Sequence, residues 1–253
     1  MIYDADAELY DMQYAAYRDD LPFYLRMADD LGSPVLELGA GTGRVTETLA
    51  RAGHDVVAVD ASGAMLARAS RRLAEAGLTE RVTLVEGDMR TLELGRTFPL
   101  AIAPFNTLMH LYTVTDQDAA LARIRAHLDE GGVLAFDLYV PRFGPMGVVR
   151  VEPFWTGELR RDEAASGARG DLFLVQEHDE AAQLLTSRYY LDTVADDGRL
   201  SRSVATLLQR YFTRFELERA LTQAGFRLEL SGAFDRSRFD ERSSLMVGVA
   251  RAT

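Results

Sequence analysis

Apolar positions in the first 140 residues follow two rhythms. Short, nearly unbroken runs such as Val35-Leu36-Glu37-Leu38 and Val56-Val57-Ala58-Val59 read as strands buried on both faces. Between them, Val45, Leu49 and Ala52 recur at helical spacing in the stretch from Arg44 to Ala52, which Gly53 stops. The pattern predicts strands at 35–38, 55–60, 82–85, 99–103 and 133–138. It predicts helices at 44–52, from an N-cap at Ser62 through Ala76, and from Thr115-Asp116 to about Leu128. Strands alternating with helices imply a parallel sheet covered on both faces, with right-handed crossovers.

The rhythm changes after Pro141. Residues 142–160 mix Gly, Pro and aromatics, including the only tryptophan, Trp155. Alternating apolar and polar positions then run through 171–178, 184–194 and 200–211, with Asp196-Asp197-Gly198 as a hairpin turn. This reads as a small antiparallel sheet inserted into the α/β body. Helical spacing returns at 213–223, where Thr213 and Glu216 have capping-box spacing. Strands at 226–231 and 245–250 close the chain. The division is a body of residues 1–140 and 212–253 around an insert of residues 141–211.

Composition narrows the chemistry. Apolar residues at 47% and charged residues at 26% describe an ordinary globular chain, not a disordered or fibrous one. The net charge of −11 disfavours nucleic acid as a partner. The chain has no Cys, which excludes disulfides, thiol nucleophiles and Cys-ligated zinc. Its 28 basic side chains are all Arg, which excludes a P-loop or Schiff-base lysine. The acidic first residues lack an apolar signal segment. The longest uncharged run, Thr97 to Thr115, contains Pro99, Pro104, Asn106 and His110 and makes a poor membrane span. A cytoplasmic protein is expected.

The strongest chemical signal is Glu37-Leu38-Gly39-Ala40-Gly41-Thr42-Gly43, between a strand and a helix. Glycines allow a sharp turn and close approach to a ligand, and the following helix presents free N–H groups. A dinucleotide site of the form G-x-G-x-x-G needs its third glycine at position 44, which is Arg44. The spacing here is G-x-G-x-G preceded by an acid, as suits a ligand carrying positive charge. Asp60 ends the second strand, where a carboxylate can accept both hydroxyls of a ribose. Glu86-Gly87-Asp88-Met89 follows the third strand, where an acid can accept from an adenine amine and a thioether can lie on its ring.

With these three signals at successive strand ends, the chain resembles the class I S-adenosylmethionine (SAM)-dependent methyltransferases over about residues 33–138 and 213–251. The resemblance implies a Rossmann-like sheet of seven strands with the last antiparallel, here 245–250. It implies that Glu37, Gly39, Ala40, Gly41 and Gly43 hold the methionine part of SAM, Asp60, Ala61 and Met65 the ribose side, and Gly87, Asp88 and Met89 the adenine. The segment Tyr10-Asp11-x-x-Tyr14-x-x-Tyr17-Arg18 and the inserted sheet further resemble the small-molecule group that includes glycine/sarcosine and amino-sugar N-methyltransferases. In that group an N-terminal helix covers SAM, here with Tyr14 and Tyr17 at i, i+3 on one helix face, and the inserted sheet forms the acceptor lid. This adds Tyr14, Arg18 and Phe105 to the cofactor set.

Methyl transfer is an in-line displacement, so the protein mainly aligns the reactants and excludes water. His110, in the loop after the fourth strand, is the candidate base or acceptor ligand, with Tyr14 beside it in the catalytic set. Tyr17, Asn106, Tyr139, Trp155 and Arg210 are candidate acceptor contacts. His54, His127 and His178 read as surface residues. Asp137 ends the fifth strand, but no carboxylate ends the fourth, so no metal is expected. An amine nitrogen is the expected acceptor. O- or C-methylation of a quinone or polyketide uses the same SAM motifs, and a SAM-binding scaffold without turnover also stays open. The inserted sheet leaves a homodimer open too.

Overall fold

The computed structural model describes residues 14, 17–140, 150–161, 164–195 and 197–253, with residues 150–161 and 164–169 described by their backbone. Helix α1 (Leu21–Leu31) opens the ordered body and carries Pro22 in its first turn. Its apolar face, Phe23, Tyr24, Met27 and Ala28, is buried. The alternating units follow as expected: β1 (Val35–Leu38), α2 (Arg44–Arg51), β2 (Val56–Asp60), α3 (Gly63–Glu75), β3 (Val82–Glu86), β4 (Phe98–Ala103), α4 (Val114–Ala126) and β5 (Leu128–Tyr139). Ser62 caps α3 by accepting from the Met65 N–H at 3.2 Å.

The body sheet has seven strands. Besides β1–β5 it contains β10 (Phe226–Ser231) and β11 (Leu245–Ala252), in the order β10-β11-β5-β4-β1-β2-β3. β1 to β5 run parallel, and β11 lies antiparallel between β5 and β10. Alternation along each strand divides the core into two layers. Leu36, Leu38, Val57, Val59, Leu134 and Phe136 face α4 and α5 (Arg214–Gln223). Val35, Val56, Ala58, Leu100, Ile102 and Ala135 face α1 and α2. Glu37 therefore points to the α1/α2 side. The Thr213–Glu216 capping box at the start of α5 forms as expected.

The insert after β5 is a second sheet of four antiparallel strands, β6 (Arg150–Arg161), β7 (Ala164–Asp179), β8 (Leu184–Val194) and β9 (Leu200–Arg210), in chain order. Three of these match the alternating stretches. β6 was not expected, because Pro153 and Gly157 interrupt its pattern. It is an edge strand, where a proline costs no ladder bond, and its register shifts between Pro153 and Trp155. The β8–β9 turn closes through Ala195 N–H to Arg199 O and Gly198 N–H to Ala195 O, both 2.9 Å, with Gly198 left-handed.

Two expectations need correction. His127 is not a surface residue but is 3% exposed, and caps the end of α4. Its Nε2 accepts from Leu94 N–H at 3.0 Å, which leaves Nδ1–H to donate to Arg123 O at 2.7 Å. Tyr17 does not share a helix with Tyr14. Tyr14 is helical, and Tyr17 lies beyond it in irregular chain, linked by its N–H to Tyr14 O at 3.0 Å. Tyr10 and Asp11 lie outside the described residues. Among the described residues no helix is long and apolar enough to cross a membrane.

Candidate active site

The turn after β1 places Gly39, Gly41 and Gly43 all at positive φ, at 65°, 56° and 81°. A side chain on Gly39 would collide with Thr107, whereas one on Gly41 would enter open space. Gly39 is thus required by packing, and Gly41 by its backbone beside a free volume. Ala40 N–H donates to Val59 O at 3.0 Å, fixing the turn against β2. At the end of β2, Asp60 accepts from Gly41 N–H at 2.7 Å and Ser62 N–H at 2.8 Å. Its carboxylate is therefore aimed along the rim of the turn. Ala61 is half-buried, Met65 is buried behind it on α3, and Gly87 N–H donates to Asp60 O at 2.9 Å.

Beneath the turn, Glu37 is 1% exposed and accepts from the Thr46 hydroxyl at 2.6 Å. Burial pushes its carboxyl up to about 8. Beside it, Arg44 makes a two-bond ion pair with Asp20, at 2.6 and 2.5 Å. Asp20 is fully buried and the Arg44 side chain is 10% exposed. The guanidinium also lies 5.3 Å from the Tyr17 ring centre and 5.6 Å from that of Phe105. Burial, then the neighbouring carboxylates, hold the Tyr17 phenol above its usual range.

Phe105 is where the pieces meet. Its ring contacts Tyr14 edge-on at 4.6 Å and Tyr17 at 5.2 Å. The Tyr14 hydroxyl lies 3.4 Å from that of Tyr189 on β8, which links the N-terminal segment to the inserted sheet. Phe105 and Asn106 are both left-handed, φ 55° and 64°, an uncommon conformation for either residue. Asp137 holds them from β5: its Oδ1 accepts from Phe105 N–H at 2.8 Å and from the Tyr24 hydroxyl at 2.5 Å, and its backbone O accepts from Asn106 N–H at 3.2 Å. Asn106 Oδ1 in turn accepts from Tyr139 N–H at 2.5 Å. Burial pushes the Asp137 carboxyl up to about 6.

His110 ends the short 3₁₀ turn Thr107–His110 that follows. Its ring keeps a partly exposed edge, and burial pushes it down to about 4, so the imidazole is neutral at physiological pH. Tyr112, 6.5 Å from it edge-on, donates to Leu208 O on β9 at 3.2 Å.

The structure brings together Tyr14, Tyr17, Phe105, Asn106 and Tyr139 near the Gly39–Gly43 turn and Asp60. The other candidates have partners of their own. Arg18 is exposed and donates to Tyr17 O at 2.8 Å. Asp88 is engaged by Arg90, whose hydrogen bonds hold its carboxyl below the usual range, and Arg90 also pairs with Asp116 at 2.7 Å. Met89 packs on the core. Arg210 pairs in register with Leu184, so it lies on the sheet face opposite Tyr189. It is tied there to Gln183 at 3.0 Å and Glu216 at 3.2 Å, joining the insert to α5. The Trp155 side chain lies outside the described residues. Sequence reasoning missed Asp20, Tyr24 and Thr46. It saw Arg44 only as a missing glycine and Asp137 only as a potential metal ligand.

Comparison with known proteins agrees with this geometry. Residues 35–132 match a methyltransferase domain family. The chain is 30% identical over 241 residues to the dTDP-3-amino-3,4,6-trideoxy-alpha-D-glucopyranose N,N-dimethyltransferase of Streptomyces venezuelae, covering 90% of this chain and 93% of that one. Among solved structures it is similar to the CcbJ methyltransferase of Streptomyces caelestis, with TM-score 0.77, 27% identity and coverage of 94% and 92% of the two chains. It is also similar to a SAM-bound amino pentose methyltransferase of Micromonospora echinaspora, with TM-score 0.69, 26% identity and coverage of 92% and 89%. The chain belongs to the class I SAM-dependent methyltransferases. It is an enzyme that methylates a small molecule.

Two predictions follow from the buried charges. The folded protein keeps the Glu37 proton from the ordinary value of 4.5 up to about 8, whereas the unfolded chain releases it. Stability therefore falls as pH rises through that window. Urea midpoints between about pH 6 and 8 should decline for the wild type and flatten in Glu37→Gln. Equal slopes would show that Glu37 is already ionised. Asp20→Ala leaves the Arg44 guanidinium buried without its carboxylate and should cost about 3–5 kcal/mol in denaturant unfolding. A loss below about 1 kcal/mol would show a solvated pair instead.

Proposed function

We propose that the chain moves a methyl group from SAM to an amine nitrogen of a small metabolite by in-line displacement. The observation that carries the amine reading is the ring-lined surface where Tyr14, Tyr17 and Phe105 meet, with a neutral His110 in the same loop. The similarity to an amino-sugar N,N-dimethyltransferase over nine-tenths of the chain supports it.

The residues suit the donor. Gly39, Ala40, Gly41 and Gly43, with the N-terminus of α2, hold the methionine end, with the buried Glu37 beneath them. Asp60 takes the ribose hydroxyls, flanked by Ala61 and Met65. Gly87, Asp88 and Met89 border the adenine. Tyr14, Arg18 and Phe105 close the methionine end. When bound, SAM supplies a methyl carbon already activated by its sulfonium.

The acceptor lies against Tyr17, Asn106 and Tyr139. The unprotonated ring nitrogen of His110 accepts an N–H of the incoming amine and aims its lone pair. Residues 141–211 act as a lid that excludes water. A neutral amine needs no strong base, because its proton leaves to solvent.

Mass spectrometry of the protein with SAM and pooled amines or phenols tests the reading. Methylated amine and S-adenosylhomocysteine should appear; methylated phenol alone would establish O-transfer, and no product would favour a scaffold. Asp60→Ala should weaken S-adenosylhomocysteine binding by more than about tenfold in calorimetry. Unchanged affinity would overturn the pocket assignment. His110→Ala should lower kcat by about ten- to a hundredfold with donor affinity kept. Full activity would remove His110 from the reaction.

A further inference from the structure

We propose that Asp137 is a positioning residue for methyl transfer: its carboxylate oxygen holds Phe105, beside the Asn106 that its backbone carbonyl holds, in their left-handed turn, so that the Phe105 ring meets Tyr14 and Tyr17. The inference rests on the reading that this loop lines the transfer site.

The argument starts from backbone strain. Two successive non-glycine residues at φ 55° and 64° revert to ordinary conformations unless their surroundings hold them. The surroundings here converge on one residue. Phe105 N–H reaches Asp137 Oδ1 at 2.8 Å, and Asn106 N–H reaches Asp137 O at 3.2 Å. One β5 residue thus receives both N–H groups of the strained pair. Asp137 is 2% exposed, so water does not compete for these bonds.

The carboxylate is itself fixed. Tyr24, fully buried on α1, donates to the same Oδ1 at 2.5 Å. The Asn106 side chain completes the turn by accepting from Tyr139 N–H. Removing the oxygen frees Phe105 N–H in a dry interior, and the turn gains by rotating toward another partner. The ring would then leave its contacts with Tyr14 at 4.6 Å and Tyr17 at 5.2 Å. Asp60 and the Gly39–Gly43 turn belong to other loops and keep their own bonds. The donor site should therefore survive while alignment is lost.

Everything Asp137 does here is done by an accepting oxygen, which an amide also has. Asp137→Ala should lower kcat by more than about tenfold, a displacement near 1 Å being enough for such losses. S-adenosylhomocysteine affinity should fall by clearly less than kcat, because Asp60 and the Gly39–Gly43 turn stay in place and only the Phe105 and Tyr14 contacts are displaced. Asp137→Asn should restore kcat to within about threefold of wild type, because its amide oxygen accepts from Phe105 N–H and Tyr24 O–H.

The assays are run well below each variant's melting temperature, with circular dichroism as the check on folding. Wild-type kcat in folded Asp137→Ala would overturn the proposal. So would an Asp137→Asn as impaired as Asp137→Ala, since the charge and not the hydrogen bond would then be acting. If Asp137→Ala does not fold, Asp137→Asn alone decides. Failure of the underlying reading looks different: Asp60→Ala would leave donor binding intact whatever Asp137 does.

Discussion

The chain departs from β1 in one direction across the sheet and returns to β4 on the other side, so the two loops leaving adjacent strand ends diverge. A crevice at that point is unavoidable in a doubly wound sheet. In this order, β1 has β2 on one side and β4 on the other. The Gly39–Gly43 turn and the Phe105–His110 loop form the crevice's two walls. Asp60 reaches it from the neighbouring strand β2, and Asp137 from β5, the strand beyond β4. The topology decides where a ligand can sit, and the residues at those four strand ends decide which ligand.

Three carboxyls lie buried on the α1/α2 side of this crevice, and each is stabilised differently. Asp20 makes a two-bond ion pair with Arg44. Glu37 has a single hydroxyl partner and is held neutral by burial over the physiological range. Asp137 shares one oxygen between a phenol and a backbone N–H. Arg44 gives this arrangement its reach, because its guanidinium contacts Tyr17 from the N-terminal segment and Phe105 from the β4 loop. A buried ion pair adds little net stability over an apolar core, but its geometry is exacting once formed. That geometry joins the N-terminal segment, the glycine turn and the β4 loop.

Much of the body was legible because burial on both faces leaves an unmistakable apolar run, and the Ser62 and Thr213 caps sit where hydroxyl chemistry predicts. β6 was illegible because an edge strand tolerates Pro153 and Gly157, the residues that ordinarily argue against a strand. The bends of the glycine turn and the place of Asp60 could be read because both depend on local sequence. The partners of Arg44 and Asp137 could not. Asp20 lies 24 positions from Arg44, and Tyr24 lies 113 from Asp137. Each meeting is set by how α1 packs on the sheet, and neither leaves a periodic trace. Arg210 looked like a ligand cation for the same reason: nothing local shows that Gln183 and Glu216 occupy it.

The electrostatics of the β4 loop bear on which acceptor the site favours. A hydroxyl acceptor must surrender its proton as it attacks, which calls for a base of useful strength. Desolvation takes His110 to about 4, well below the range in which an imidazole is an effective base at neutral pH. The same desolvation leaves it unprotonated, able to accept a hydrogen bond and unable to repel or protonate a neighbouring amine. An amine arrives with its lone pair already nucleophilic once neutral, and needs aiming more than activation. A weakly basic imidazole, in the loop that Asp137 holds through Phe105 and Asn106, suits the second demand and not the first. On the proposed reading, the feature that weakens His110 as a base therefore favours nitrogen over oxygen as the atom methylated.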